Sequence, residues 1–265
     1  MQSDTLNLTV HGHSVALSVL RRTGTRPALI CLHGFGSTKE DYADLTMRAD
    51  FVDRDLIFWD APGCGTSTVS HPDAPTIPFL VSVVEAASNA LGLERFHLSG
   101  HSMGGLTGLL YAQAHPDRVL SFIDIEGNLA PEDCFLSRQI VEHPAPTPEA
   151  FLAEFMDRVK GRAEYGSALY AEALPLKVKP ATFQPVFASM VDLSDNTDLL
   201  AIMAGLSCPR VFIYGAQNRH LTYLDGLPGI GVQVVEVPDS GHFPMYSNPP
   251  ALWSAMGKFL QQADG

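Results

Sequence analysis

Positive charge is scarce in this sequence, with 17 Lys and Arg against 29 Asp and Glu in 265 residues and a formal net charge of −12. A polyphosphate backbone would be repelled by that balance, so nucleic acid is not an expected partner. Cysteine is also sparse. Cys31, Cys64, Cys134 and Cys208 are widely spaced, and no C-x-x-C pair or His-rich cluster accompanies them. That spacing excludes a disulfide framework and a zinc site as organising features, and it reads as four buried or half-buried thiols. His11 and His13 form an isolated H-x-H near the N-terminus, which reads as chance and not as a metal pair. No run of about 18 apolar residues occurs, and the first residues carry neither a basic nor an apolar leader pattern. A cytoplasmic chain that does not engage a membrane is the expectation. With 46% hydrophobic and 17% charged residues, the composition is that of an ordinary globular protein.

Strand-like runs alternate with helix-like runs along most of the chain. The strands are expected at Thr5 to Val10, Ser14 to Leu20, Ala28 to His33, Asp55 to Asp60, Phe96 to Ser99, Val119 to Ile125, Arg210 to Tyr214 and Val232 to Val237. The first two alternate and lie close together, as in an antiparallel hairpin. The later ones are nearly continuously apolar, as strands covered on both faces must be. Helices are expected over Ile77 to Leu91, Met103 to His115 and Pro249 to Gln262. This rhythm predicts an α/β fold with a mostly parallel, eight-stranded sheet and helices on both faces.

Residues 129–193 break the rhythm. They hold no convincing strand, but they carry helix-like segments rich in Phe, Tyr and Met, entered through Pro144, Pro146 and Pro148. An inserted helical cap over residues 129–193 is expected, with the core formed by residues 1–128 and 194–265.

The segment Gly100-His101-Ser102-Met103-Gly104 lies between an expected strand and an expected helix. A tight strand-to-helix turn lifts the apical serine clear of the chain, and only small residues fit two places to either side. The short pattern alone would arise by chance on the order of 0.1 times in such a chain, so its setting carries the reading. A serine hydroxyl needs a base, and among ten histidines His242 is the best placed, on a loop after the last strand. An attacked carbonyl also needs N–H donors for its oxygen. Met103 offers one at the start of the helix, and Phe35, in the glycine-containing loop Gly34 to Ser37, offers the second.

The pieces LHGFGS (Leu32 to Ser37), WDAPGCGTS (Trp59 to Ser67), GHSMGG (Gly100 to Gly105) and SGHFP (Ser240 to Pro244) together resemble the α/β-hydrolase fold family. The resemblance spans most of the chain and implies that fold with a Ser-His pair at Ser102 and His242. It assigns the Asp60 to Gly65 segment to a structural turn. It also exposes a departure, because the usual place of the third, acidic residue holds Asn218. One dehalogenase branch of the family carries its acid at the end of the strand after the nucleophile helix. By that register the acid here is Glu126, with two alternatives: Asp124, two residues deeper on the same face, or an arrangement in which the acid is dispensable or Asn218 orients the histidine without a charge. The bland reading is that Glu126 caps a loop or pairs with Arg138.

Serine at the nucleophile position implies acyl chemistry. The expected activity is a cofactor-free and metal-free serine hydrolase acting on a small, largely apolar carboxylic ester, thioester or lactone. Two other readings use the same residues: carbon-carbon bond hydrolysis or a lyase step, and a ligand receptor that keeps the triad without turnover. In each case the expected partner is a small molecule, and the sequence does not set an oligomeric state.

Overall fold

A computed structural model describes the whole chain, Met1–Gly265. Its sheet contains β1 (Gln2–Val10), β2 (His13–Arg22), β3 (Arg26–Leu32), β4 (Arg54–Trp59), β5 (Thr68–Val69), β6 (Phe96–His101), β7 (Val119–Ile125), β8 (Arg210–Gly215) and β9 (Gln233–Val237). The main path runs β1-β2-β4-β3-β6-β7-β8-β9, and β5 pairs with β2 beside it. β1 and β2 form an antiparallel hairpin, and β2 meets β4 antiparallel. From β4 onward every neighbour is parallel. Eight strands were expected and nine are present. The additional β5 is two residues long, too short to leave a periodic signal, and it exists through its pairing with Val15 and Ala16.

The helices are α1 (Ile77–Ala90), α2 (Met103–Ala114), α3 (Gln139–Glu142), α4 (Pro148–Lys160), α5 (Ser167–Lys177), α6 (Phe183–Asn196), α7 (Leu199–Gly205), α8 (Pro244–Ser247) and α9 (Pro249–Ala263). None is long and apolar enough to cross a membrane. Their starts follow local chemistry. Thr76 accepts the Phe79 N–H before α1, Thr147 accepts the Ala150 N–H before α4, and Asn248 accepts the Ala251 N–H before α9, each with proline in the first turn.

β4 and β6 are buried at every residue, because the sheet's two faces are covered by helices. α2 is likewise buried nearly all round, which is why its apolar pattern shows no single stripe. Between β7 and β8 the chain forms the 3-10 turn Pro131–Phe135 and then α3 to α7. α6 runs on to Asn196, three residues past the boundary expected at 193. Phe135, Tyr170 and Phe187 of this helical segment share a cleft with Ser102 at the end of β6.

Candidate active site

Ser102 joins β6 to α2 with φ +51° and ψ −117°, a conformation that side-chain-bearing residues rarely adopt. The turn closes only because its neighbours lack side chains. A Cβ on Gly100 would run into the backbone of Gly104, and one on Gly104 would run into the Leu32 and His33 carbonyls. The Ser102 N–H is tied to the Ile125 carbonyl at 2.9 Å, so the end of β7 braces the apex.

His242 follows β9 on a buried loop, and its Nε2 lies 3.1 Å from Ser102 Oγ. Its Nδ1 lies 3.3 Å from Glu126 Oε2. Glu126 stands immediately past β7 with φ +52°, its own N–H bonded to the Ile213 carbonyl of β8. The structure therefore brings Ser102, His242 and Glu126 into one hydrogen-bonded line. Asp124 turns away from it, accepting the Gly127 N–H at 3.0 Å. Arg138 pairs with Asp195, not with Glu126.

Asn218 is not a spectator. Its Nδ2 donates to Glu126 Oε2 at 2.7 Å, while the Gly215 N–H donates to Oε1 at 2.6 Å. The residue at the usual acid position thus holds the carboxylate that comes from the neighbouring strand. The sequence left room for Asn218 to assist the histidine but carried no sign of its contact with Glu126, which depends on the lateral spacing of β7 and β8.

Burial dominates the electrostatics of the pair. It pushes the Glu126 carboxyl up to about 7, against the two donors that favour the charged form. It pushes the His242 imidazole down to about 3, helped by the nearby Arg162 guanidinium and opposed by Glu164. A neutral ring at ordinary pH leaves Nε2 free to accept the serine proton, provided that Nδ1 carries the ring proton and donates to Glu126. Protonating Glu126 would reverse that bond and move the ring proton to Nε2, abolishing the base. The two groups titrate as a pair, and the competent state is lost as pH falls below neutrality. The acid limb of kcat/KM should therefore lie near pH 7, well above the ordinary carboxylate range. Asn218→Ala removes a donor that favours the ionised carboxyl. It should move that limb upward by about one pH unit while leaving the alkaline plateau within about tenfold. An unmoved limb in a pH-rate series would contradict the coupling.

The N–H donors are fixed by a different device. His33 Nε2 accepts the Ala61 N–H at 2.8 Å, so Nδ1 bears the proton and donates to the Gly34 carbonyl at 2.8 Å. The Ser37 N–H reaches the same carbonyl at 3.0 Å. Because a trans peptide is planar, clamping the Gly34 carbonyl also fixes the opposed N–H of Phe35. A Cβ on Gly34 would lie 3.1 Å from the Ser102 Cβ, which shows how closely this loop passes the serine. Met103 N–H stands at the first position of α2. Neither N–H is used in a turn, cap or strand hydrogen bond.

His101, the residue before Ser102 in the chain, makes no hydrogen bond with it. It nevertheless touches the site, because its Nε2 donates to the His242 carbonyl at 2.7 Å and the ring is fully buried against Gly34. Above Ser102, a narrow cleft is lined by Phe35, Phe135, Tyr170, Phe187, Met190 and Phe243, with the Asp133 carboxyl also in its wall. On the far side of His242 it meets a more polar vestibule of about 560 Å³, with Arg162, Glu164 and His220 in its wall.

The chain resembles known proteins in both sequence and fold. Over 116 residues, 42% of this chain, it is 31% identical to the proline iminopeptidase of Lactobacillus acidophilus. Over 144 residues, 48% of this chain, it is 34% identical to a fluoroacetate dehalogenase of a Burkholderia species. These matches span 40% and 46% of the two relatives, so the chain matches less than half the length of each. Among solved structures, a thermophilic esterase from Thermogutta terrifontis superposes with a TM-score of 0.75 over 99% of both chains at 21% identity, a likeness of fold. A sequence model of the alpha/beta hydrolase fold matches residues 27–162, just over half of the chain. With that match added to the parallel sheet and the serine turn, the chain belongs to the alpha/beta hydrolase fold family.

Proposed function

We propose that this protein is a cofactor-independent serine hydrolase that cleaves a small, largely apolar carboxylic ester, thioester or lactone, with residues 129–193 as its cap. The observation that carries this reading is the hydrogen-bonded line Ser102 Oγ, His242 Nε2 and Nδ1, Glu126 Oε2. In the proposed cycle the Ser102 proton passes to His242 Nε2 as Oγ attacks the carbonyl carbon. The oxyanion is met by the N–H groups of Phe35 and Met103, each worth about 3 to 4 kcal/mol of transition-state stabilisation. His242 then protonates the departing oxygen or sulfur, leaving an acyl-Ser102 ester. Water repeats the sequence, giving a proton to His242 and hydroxide to the acyl carbon, and the carboxylic acid leaves. Glu126 holds the productive tautomer and balances the imidazolium formed in each half.

A fluorophosphonate should label Ser102 stoichiometrically, and p-nitrophenyl esters of short acids should turn over repeatedly. Labelling without turnover of any ester would sink the ester reading and leave the nucleophile in place. The iminopeptidase relatives favour a second reading, amide hydrolysis next to a free imino or amino terminus. An apolar acyl side speaks against it, because a buried ammonium there would meet the Phe35 and Phe187 rings, and the carboxylate in the cleft wall, Asp133, is already engaged by the Leu129 and Ala130 N–H groups and the Tyr223 hydroxyl. Proline p-nitroanilide, assayed beside the esters, separates the two readings.

A further inference from the structure

The cleft over Ser102 has two unlike ends. Beyond His242 lies the polar vestibule with Arg162, Glu164 and His220, whereas the opposite end is closed by aromatic rings. His242 must protonate the leaving group, so that group belongs on the vestibule side. The acyl chain then points toward Phe35 and Phe187. Phe183 packs directly behind both, with ring centroids 4.6 Å from Phe35 and 5.2 Å from Phe187. On its other side Phe183 lines a surface groove of about 570 Å³ together with Ile140, Pro144, Ala145 and Phe151. Two layers of rings therefore separate the catalytic cleft from the outer groove, Phe35 and Phe187 facing the cleft and Phe183 facing the groove.

We propose that Phe183 backs the end wall of the acyl site and, by holding the Phe35 and Phe187 rings in place, restricts this enzyme to short acyl chains, an inference that rests on acyl transfer at Ser102. The wall is held from several sides. Phe151 and Phe155 meet Phe183 edge-to-face at 5.3 and 5.5 Å, and Phe183 is 1% exposed. Packed rings of this kind do not swing aside without opening a void. The backbone adds to this, since α6 starts at Phe183 directly after the 3-10 turn Pro180–Thr182, and Thr182 is seated against Gly63. A chain a few methylenes longer than the cleft must displace the Phe35 and Phe187 rings that Phe183 backs, or fold back into the polar vestibule. Deleting the Phe183 ring opens a space beside the groove into which the Phe35 or Phe187 ring can turn, which deepens the cleft for the added methylenes.

The test compares inactivation by p-nitrophenyl ethylphosphonate and p-nitrophenyl octylphosphonate, alongside hydrolysis of p-nitrophenyl butanoate and octanoate. The intact protein should favour the short reagents by about tenfold or more. Phe183→Ala should raise the long-to-short ratio by about tenfold, with the short-chain rate changed only a few-fold. Phe183→Leu, a smaller excision, serves if the alanine variant fails to melt cooperatively. Ala145→Trp, which fills the groove from outside, should leave the parent unchanged and cancel the gain in the Phe183 variant. An unchanged ratio in a folded Phe183 variant overturns the wall, as does a parent that already prefers the octyl reagents. Labelling with a length preference but no ester turnover keeps the wall and rejects the ester reading. Turnover without length preference does the reverse, and no labelling at all overturns both.

Discussion

Replacing Ser102 with alanine is expected to lower kcat by about a millionfold and to abolish phosphonate labelling, with almost no loss of stability. The size of the kinetic effect follows from losing the attacking atom, after which only binding and the oxyanion donors remain. The indifference of the fold follows from position. Although Ser102 precedes α2, its side chain makes no capping hydrogen bond, so alanine forfeits no cap. The backbone strain at φ +51° is unchanged by alanine and relieved by glycine. Ser102→Gly should accordingly melt at a higher temperature than the parent, by an amount reflecting about 1 kcal/mol. Labelling with full turnover in the alanine variant, read by mass spectrometry and steady-state kinetics, would remove Ser102 from the chemistry.

The second large effect is expected from Glu126→Gln, which should cost about ten-thousandfold in kcat. An amide in this place loses the charge that balances the imidazolium, and it offers the ring the wrong tautomer. Stability should respond in the opposite direction, with a sign set by pH. The Glu126 carboxyl is raised from 4.5 to about 7 in the fold. A raised carboxyl contributes stability below its unfolded value, and that contribution is lost as pH rises through its folded value. At pH 8 the parent therefore carries a buried charge that the unfolded chain would hold in water. Glutamine has no such penalty, so its stability relative to the parent should rise by on the order of 3 kcal/mol between pH 4 and pH 8. Denaturant melts at the two pH values check this. A parallel pH dependence for parent and variant would show that Glu126 does not titrate within the fold.

The parts of this molecule that were legible in sequence are those written in local patterns. α1, α2 and α9 were expected to within one residue at each end, because caps, prolines and apolar periodicity mark them. The glycines around Ser102 announced the turn because their absence of side chains is the physical requirement itself. Glu126 was legible only through strand register joined to a family resemblance, and Asp124 could be set aside only when its carboxylate was seen bonded to Gly127. Asn218 was harder. In the chain it stands far from Glu126, and only the pairing of β7 with β8 brings its amide to the carboxylate. His101 and His33 were unreadable for a similar reason, since each acts through a backbone carbonyl, of His242 or of Gly34, that sequence does not display. β5 left no signal in two residues, and the end of α6 carried no breaker at position 193.

The proposed site depends on the Glu126 carboxylate at the end of β7 and on Asn218, which donates to it. The most direct measurement is kcat on one p-nitrophenyl ester at pH 9 for Glu126→Gln and Asn218→Ala, compared side by side with the parent. A loss of about ten-thousandfold is expected for Glu126→Gln and of less than about tenfold for Asn218→Ala. A Glu126→Gln enzyme near parental activity, or a steeper loss at Asn218 than at Glu126, would contradict that assignment.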